Sequence, residues 1–138
     1  MNTENLKTTA KAPGYRILVV DDNQDSATTL TMLLKLKGNE VHTRYGGRTG
    51  LEAAENLHPQ VVILDIGMPG MDGYETCRHI RQQPWGKDTV IVALTGYGRE
   101  EDKRKTQEAG FDGHLIKPVD LASLTQLLDT LFSRERTD

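Results

Sequence analysis

Three stretches of the chain consist of consecutive branched or long apolar residues: Ile17 to Val20, Val61 to Leu64, and Val90 to Leu94. Runs this short and uniformly apolar predict strands covered on both faces, as in a parallel sheet. The first run is lengthened to Tyr15. Two more strands are read at Glu40 to Arg44, more polar and therefore placed at an edge, and at Gly113 to Ile116. Between the runs the apolar period changes to that of a helix. Ala27, Leu30, Leu33, Leu34 and Lys37 make one stripe on a helix that starts near Asn23 to Asp25. Gly38 suits its left-handed stop. Further helices are predicted over Gly50 to Leu57, halted before Pro59, and over Gly73 to Gln82, followed by a turn at Pro84 to Gly86. The last two run from Gly98 to Ala109 and from Asp120 to Phe132, the latter carrying Leu121, Leu124, Leu127, Leu128 and Leu131. Strands alternating with helices imply βαβ units with right-handed crossovers, an α/β architecture in which helices cover both faces of a parallel sheet.

Composition narrows the picture. With 138 residues the chain fits one domain with a real core, and a net charge of −3 offers no electrostatic footprint for nucleic acid. The single cysteine, Cys77, cannot form an internal disulfide, which points to a reducing cytoplasm. No apolar run is longer than a strand, so no membrane span is predicted. Residues 1–14 are polar and aperiodic and are read as a flexible N-terminal tail, residues 15–132 as the domain, and residues 133–138 as a C-terminal tail.

The chemistry lies where the strands end. The first strand leads into Asp21-Asp22, the third into Asp65, the fourth into Thr95 and the fifth into Lys117. All carboxyl ends of a parallel sheet lie along one edge, where open α/β sheets place their ligands, so these residues can converge. Pro69, Gly70 and Gly73 make the loop after Asp65 a sharp turn. Three clustered carboxylates repel unless one is protonated or a divalent cation binds. Mg²⁺ suits a few carboxylates supplemented by water and phosphate oxygens, and a lysine with a hydroxyl suits a phosphoryl group. The set specifies a carboxylate nucleophile for phosphoryl transfer, with Asp65 the first candidate.

Asp21-Asp22, Asp65 with its Met68-Pro69-x-Met71-Asp72-Gly73 continuation, Thr95-Gly96 and Lys117-Pro118 resemble the receiver domain of two-component response regulators. The match runs from about Tyr15 to Phe132, nearly the whole chain, and all motifs occur in order. The resemblance implies a flavodoxin-like (βα)5 fold with a doubly wound five-stranded parallel sheet in the order 2-1-3-4-5. It implies Asp65 as the phosphoacceptor, served by a phosphohistidine of a sensor histidine kinase or a histidine phosphotransfer protein. Asp22, Asp65 and the backbone carbonyl of Gly67 would ligate Mg²⁺, with Asp21 acting through water. Thr95 and Lys117 would contact phosphoryl oxygens, Gly96 would leave the site open to the donor, and a cis peptide bond would join Lys117 to Pro118. The switch would involve Thr95 and His114, which stands where the family usually has tyrosine or phenylalanine; histidine there resembles the receivers of hybrid sensor kinases. Tyr97 and Gly67 would border the path of hydrolytic water. The responding surface would be the fourth helix, fifth strand and fifth helix. Such a protein is a phosphoacceptor that promotes its own phosphorylation and slow self-dephosphorylation rather than an enzyme. With only residues 133–138 after the domain, it is expected to be a stand-alone regulator, a phosphate shuttle or a domain of a larger protein.

Two other functions compete. A haloacid-dehalogenase-like phosphatase places its two aspartates two residues apart on the first strand, which Asp21-Asp22-Asn23-Gln24 does not match. A phosphorylation-independent binding module would not require the complete acidic set. His42, His58 and His79 fall on separate elements without zinc-ligand spacing, and Cys77 reads as structural. The charged run from Arg99 to Lys105 reads as a solvated helix face.

Overall fold

The computed structural model describes residues 14–96 and 100–136. The chain alternates β1 (Arg16–Val20), α1 (Gln24–Leu36), β2 (Glu40–Arg44), α2 (Gly47–Leu57), β3 (Val61–Asp65), α3 (Gly73–Gln82), β4 (Val90–Thr95), α4 (Glu100–Ala109), β5 (Gly113–Ile116) and α5 (Leu121–Arg136). A 3-10 turn at Pro84–Gly86 precedes β4. The five strands form one sheet in the order β2-β1-β3-β4-β5, every neighbouring pair parallel. This is the doubly wound, flavodoxin-like arrangement, and it places β1 beside β3 with α1, β2 and α2 looped out between them.

Alternation along each strand divides the apolar runs between two cores. Ile17, Val19, Val61, Ile63, Val92 and Leu94 pack on one face with Leu30 and Leu34 of α1 and with Leu124, Leu128 and Leu131 of α5. Leu18, Val20, Val62, Leu64, Ile91 and Ala93 pack on the other with Ala54 of α2, Cys77 and Ile80 of α3, and Ala109 of α4. Both faces are dry, which is why these strands show no polar positions until their ends. At about 25 cal/mol per Å² of apolar area, these runs contribute the main stabilising term.

Several element boundaries differ from the sequence expectations: β1 begins at Arg16 rather than Tyr15, and β4 includes Thr95. α2 begins at Gly47 rather than Gly50. Its glycines permit close packing: a Cβ on Gly50 would stand 2.9 Å from a Val20 methyl. Glycine there disfavours a helix locally while the tertiary contact requires it. Asp65 is the last residue of β3, paired with Leu94, rather than the first of a loop. α5 starts after Asp120, whose carboxylate accepts from the Ser123 N–H at 3.2 Å, and continues past Phe132 to Arg136. The expectations for residues 1–13, Tyr97, Gly98, Arg99 and residues 137–138 lie outside the described residues. No described helix is long and apolar enough to cross a membrane.

Candidate functional site at the carboxyl edge of the sheet

The sheet order brings the ends of β1, β3, β4 and β5 to one edge. Asp21 directly follows β1, and its N–H extends the ladder by donating to the Arg44 carbonyl at 3.1 Å. Its side chain is buried, whereas Asp22 is exposed. Asp65 is held at the end of β3, 6% exposed, and its Oδ1 accepts from the Gly67 N–H at 3.0 Å. The loop beyond turns at Gly70, φ +73°, and Asp72 caps α3 by accepting from the Glu75 N–H at 2.9 Å. Gly73 lets α3 close on the peptide of Asp65, since a Cβ there would lie 2.5 Å from the Asp65 carbonyl oxygen. The helix start and Asp65 are thus fixed to each other.

Opposite, Thr95 ends β4 and is buried. The Lys117 N–H donates to the Thr95 carbonyl at 2.8 Å, which holds the two residues side by side. The Lys117–Pro118 peptide bond is cis. Lys117 reaches inward with Nζ 3.2 Å from Asp21 Oδ2 and 3.3 Å from Asp65 Oδ2. Asp21, Asp22 and Asp65 offer oxygens that all lie within 4.8 Å of one another. The structure therefore brings Asp21, Asp22, Asp65, Thr95 and Lys117 together. Gly67 and Gly96 line the same cleft, which has a volume of about 680 Å³. His114 sits mid-β5, level with Ala93 and half-buried, and does not line that cleft.

Electrostatics at this edge are under-neutralised. Burial, helped by the Asp65 carboxylate, raises the Asp21 pKa above the ordinary aspartate value despite the opposing Asn23 N–H and Lys117. Burial also works against the Lys117 charge, but Asp65 and Asp21 outweigh it and raise its pKa above the ordinary lysine value. One ammonium among three carboxylates leaves a negative excess on hard oxygen donors, which fits a divalent cation such as Mg²⁺.

Sequence reasoning missed a further wall of the cleft. Tyr74 of α3 and Asp102 and Lys105 of α4 also line it. The run containing the last two was read as a solvated helix face, yet Asp102 is half-buried. A spacing of three residues, which puts both on one helix face, was the available signal.

The fold and this edge define a receiver-type architecture. The family model for the response regulator receiver domain matches residues 17–129, and the chain belongs to that family. It is 37% identical over 112 residues to an uncharacterized 14.6 kDa protein of Leptolyngbya boryana, covering 81% of this chain and 86% of that one. It is 32% identical to the response regulator ArlR of Staphylococcus aureus over 87% of this chain but only 53% of ArlR, about half its length. Among solved structures, the Vibrio cholerae chemotaxis protein CheY4 superposes with TM-score 0.81 at 32% identity, over 86% of this chain and 98% of that one. The receiver domain of the Pseudomonas aeruginosa sensor histidine kinase PA1611, solved with a magnesium ion in its active-site cleft, gives 0.78 at 31% identity, over 85% and 96%.

Proposed function

We propose that this chain is a Mg²⁺-dependent phosphoacceptor in a two-component relay, with Asp65 taking a phosphoryl group from a phosphohistidine of a sensor kinase or phosphotransfer protein. The observation that carries the reading is the position of Asp65: nearly buried, facing a cleft, with a lysine at 3.3 Å and two further carboxylates converging on it. A carboxylate oxygen so held can attack phosphorus in line while Lys117 neutralises an equatorial oxygen and Thr95 donates to another. Asp22, Asp65 and the Gly67 carbonyl would hold Mg²⁺, with Asp21 through water, and the cation would supply charge neutralisation. The switch passes through Thr95 and the Lys117 N–H that donates to its carbonyl, toward β5 with His114 and the α4-β5-α5 surface. It is a shift between states already accessible. The protein works in the cytoplasm and acts on itself rather than as an enzyme on a substrate pool.

The test is intact mass after incubation with phosphoramidate and Mg²⁺, for the native protein and Asp65→Asn in parallel. One base-labile phosphoryl adduct on the native protein alone is the expected result. No adduct, together with no beryllofluoride binding, would make the chain a phosphorylation-independent module instead.

A further inference from the structure

The wall formed by Tyr74, Asp102 and Lys105 has no part in the acceptor chemistry described above. Tyr74 stands in the first turn of α3, and its ring meets Phe111 edge to face, with centroids 6.4 Å apart and planes at 86°. Phe111 is buried, so the tyrosine is braced from behind while remaining half-open to the cleft. Asp102 lines the same cleft as the phenol, and burial first, then Asp102 and Asp72, hold the Tyr74 pKa above the ordinary tyrosine value. The phenol is neutral at working pH. An aromatic face beside a carboxylate is a seat for a planar cation. Lys105, one turn along from Asp102 and exposed, brings a positive charge to the same opening.

Resting on the phosphoacceptor reading above, we propose that Tyr74, with Asp102 beside it, seats the imidazole leaving group of the phosphohistidine donor, while Lys105 faces the donor's phosphoryl oxygens. In the transfer an Asp65 oxygen forms the new P–O bond as the P–N bond breaks. The electron pair leaves with the ring, and a ring protonated on its other nitrogen departs as neutral imidazole. Tyr74 thereby favours donors with a ring in the leaving group over donors without one.

Two small donors separate the roles: phosphoimidazole, which leaves a ring, and phosphoramidate, which leaves ammonia. Phosphorylation rates with Mg²⁺ are measured by intact mass for the native protein, Tyr74→Phe, Tyr74→Leu and Lys105→Gln. Tyr74→Phe should keep the native rate ratio between donors. Tyr74→Leu should lower the ratio of phosphoimidazole to phosphoramidate about three- to tenfold, the size of a lost aromatic contact. The ratio cancels any general damage to Asp65 or to folding, which a merely structural role would produce equally with both donors. Lys105→Gln should slow both donors to the same degree and flatten the dependence on salt. An unchanged ratio in Tyr74→Leu overturns the ring seat, and unchanged rates in Lys105→Gln overturn the part given to the lysine. If neither donor labels the native protein and beryllofluoride does not bind it, the phosphoacceptor reading itself falls, and the donor seat with it.

Discussion

Replacing Asp21 with asparagine removes one of the three carboxylates that meet at the sheet edge. Asp21 is 1% exposed, and burial with the help of Asp65 raises its pKa, so its ionised form costs the metal-free fold stability at neutral pH. Lys117 offsets part of that cost at 3.2 Å, yet keeps Asp65 at 3.3 Å when Asp21 is neutralised, so no cation is orphaned. The asparagine carbonyl can still accept from the Asn23 N–H, as the aspartate does at 3.0 Å. In EDTA at pH 7 the variant should be more stable by about 1 kcal/mol, the low end of the gain from replacing buried ionic groups. The sign with pH follows from the raised folded value. The native protein's folded state holds the extra proton, so native stability rises as pH falls through that value. The variant's advantage is gone below the unfolded value of 3.8. Mg²⁺ works the other way: a cation bound only by the folded state adds RT ln(1 + [L]/Kd), about 1.4 kcal/mol at ten times Kd. The variant, one carboxylate short, should gain less at equal Mg²⁺. Urea titration followed by the fluorescence of Trp85, the one tryptophan, reads both effects; its ring stacks on His58 at 5.1 Å and loses that environment on unfolding. A less stable variant in EDTA at pH 7 would show that the Asp21–Lys117 pair outweighs burial. An advantage persisting at pH 3 would place the effect in packing rather than charge.

Two further outcomes are expected. Burial pushes the Cys77 thiol up to about 12, so the folded protein should resist iodoacetamide at pH 8 while the urea-unfolded chain gains one adduct by mass. Rapid alkylation of the folded form would contradict the packing of α3 on the sheet. Gly73→Ala puts a methyl 2.5 Å from the Asp65 carbonyl oxygen and the Ile66 Cα, a clash with backbone rather than with a movable side chain. It should cost about 2 kcal/mol by urea titration and slow phosphorylation by a small donor on the order of tenfold through displacement of the acceptor. Native rates in that variant would show that the start of α3 does not hold Asp65 in place.

What the chain discloses about itself follows from how burial is distributed. Strands covered on both faces tolerate no polar residue, so the first polar residue after Val20, Leu64 and Leu94 marks a strand end or the position beside it. In a parallel sheet that position is also the ligand edge, and Asp65, the Asp21-Asp22 pair, Thr95 and Lys117 therefore lie at one kind of boundary readable from local pattern. Which strands are neighbours is not local. Asp21 and Asp65 meet because β1 pairs with β3 across an intervening α1-β2-α2 unit, and only the resemblance of the whole motif set supplied that order. The first turn of α2 was hidden because Gly47 and Gly50 answer to a tertiary requirement, the close approach to Met71 and Val20, against their helical propensity. The cleft wall was hidden for a related reason. Tyr74, Asp102 and Lys105 belong to helices, whose periodicity tells which residues face inward but not which of the outward ones lean over the sheet edge. Motifs carried by strand ends are the legible ones, because their geometry is imposed by the sheet. The residues proposed to choose the donor, Tyr74, Asp102 and Lys105, sit on the helices flanking that edge, where sequence pattern is weakest.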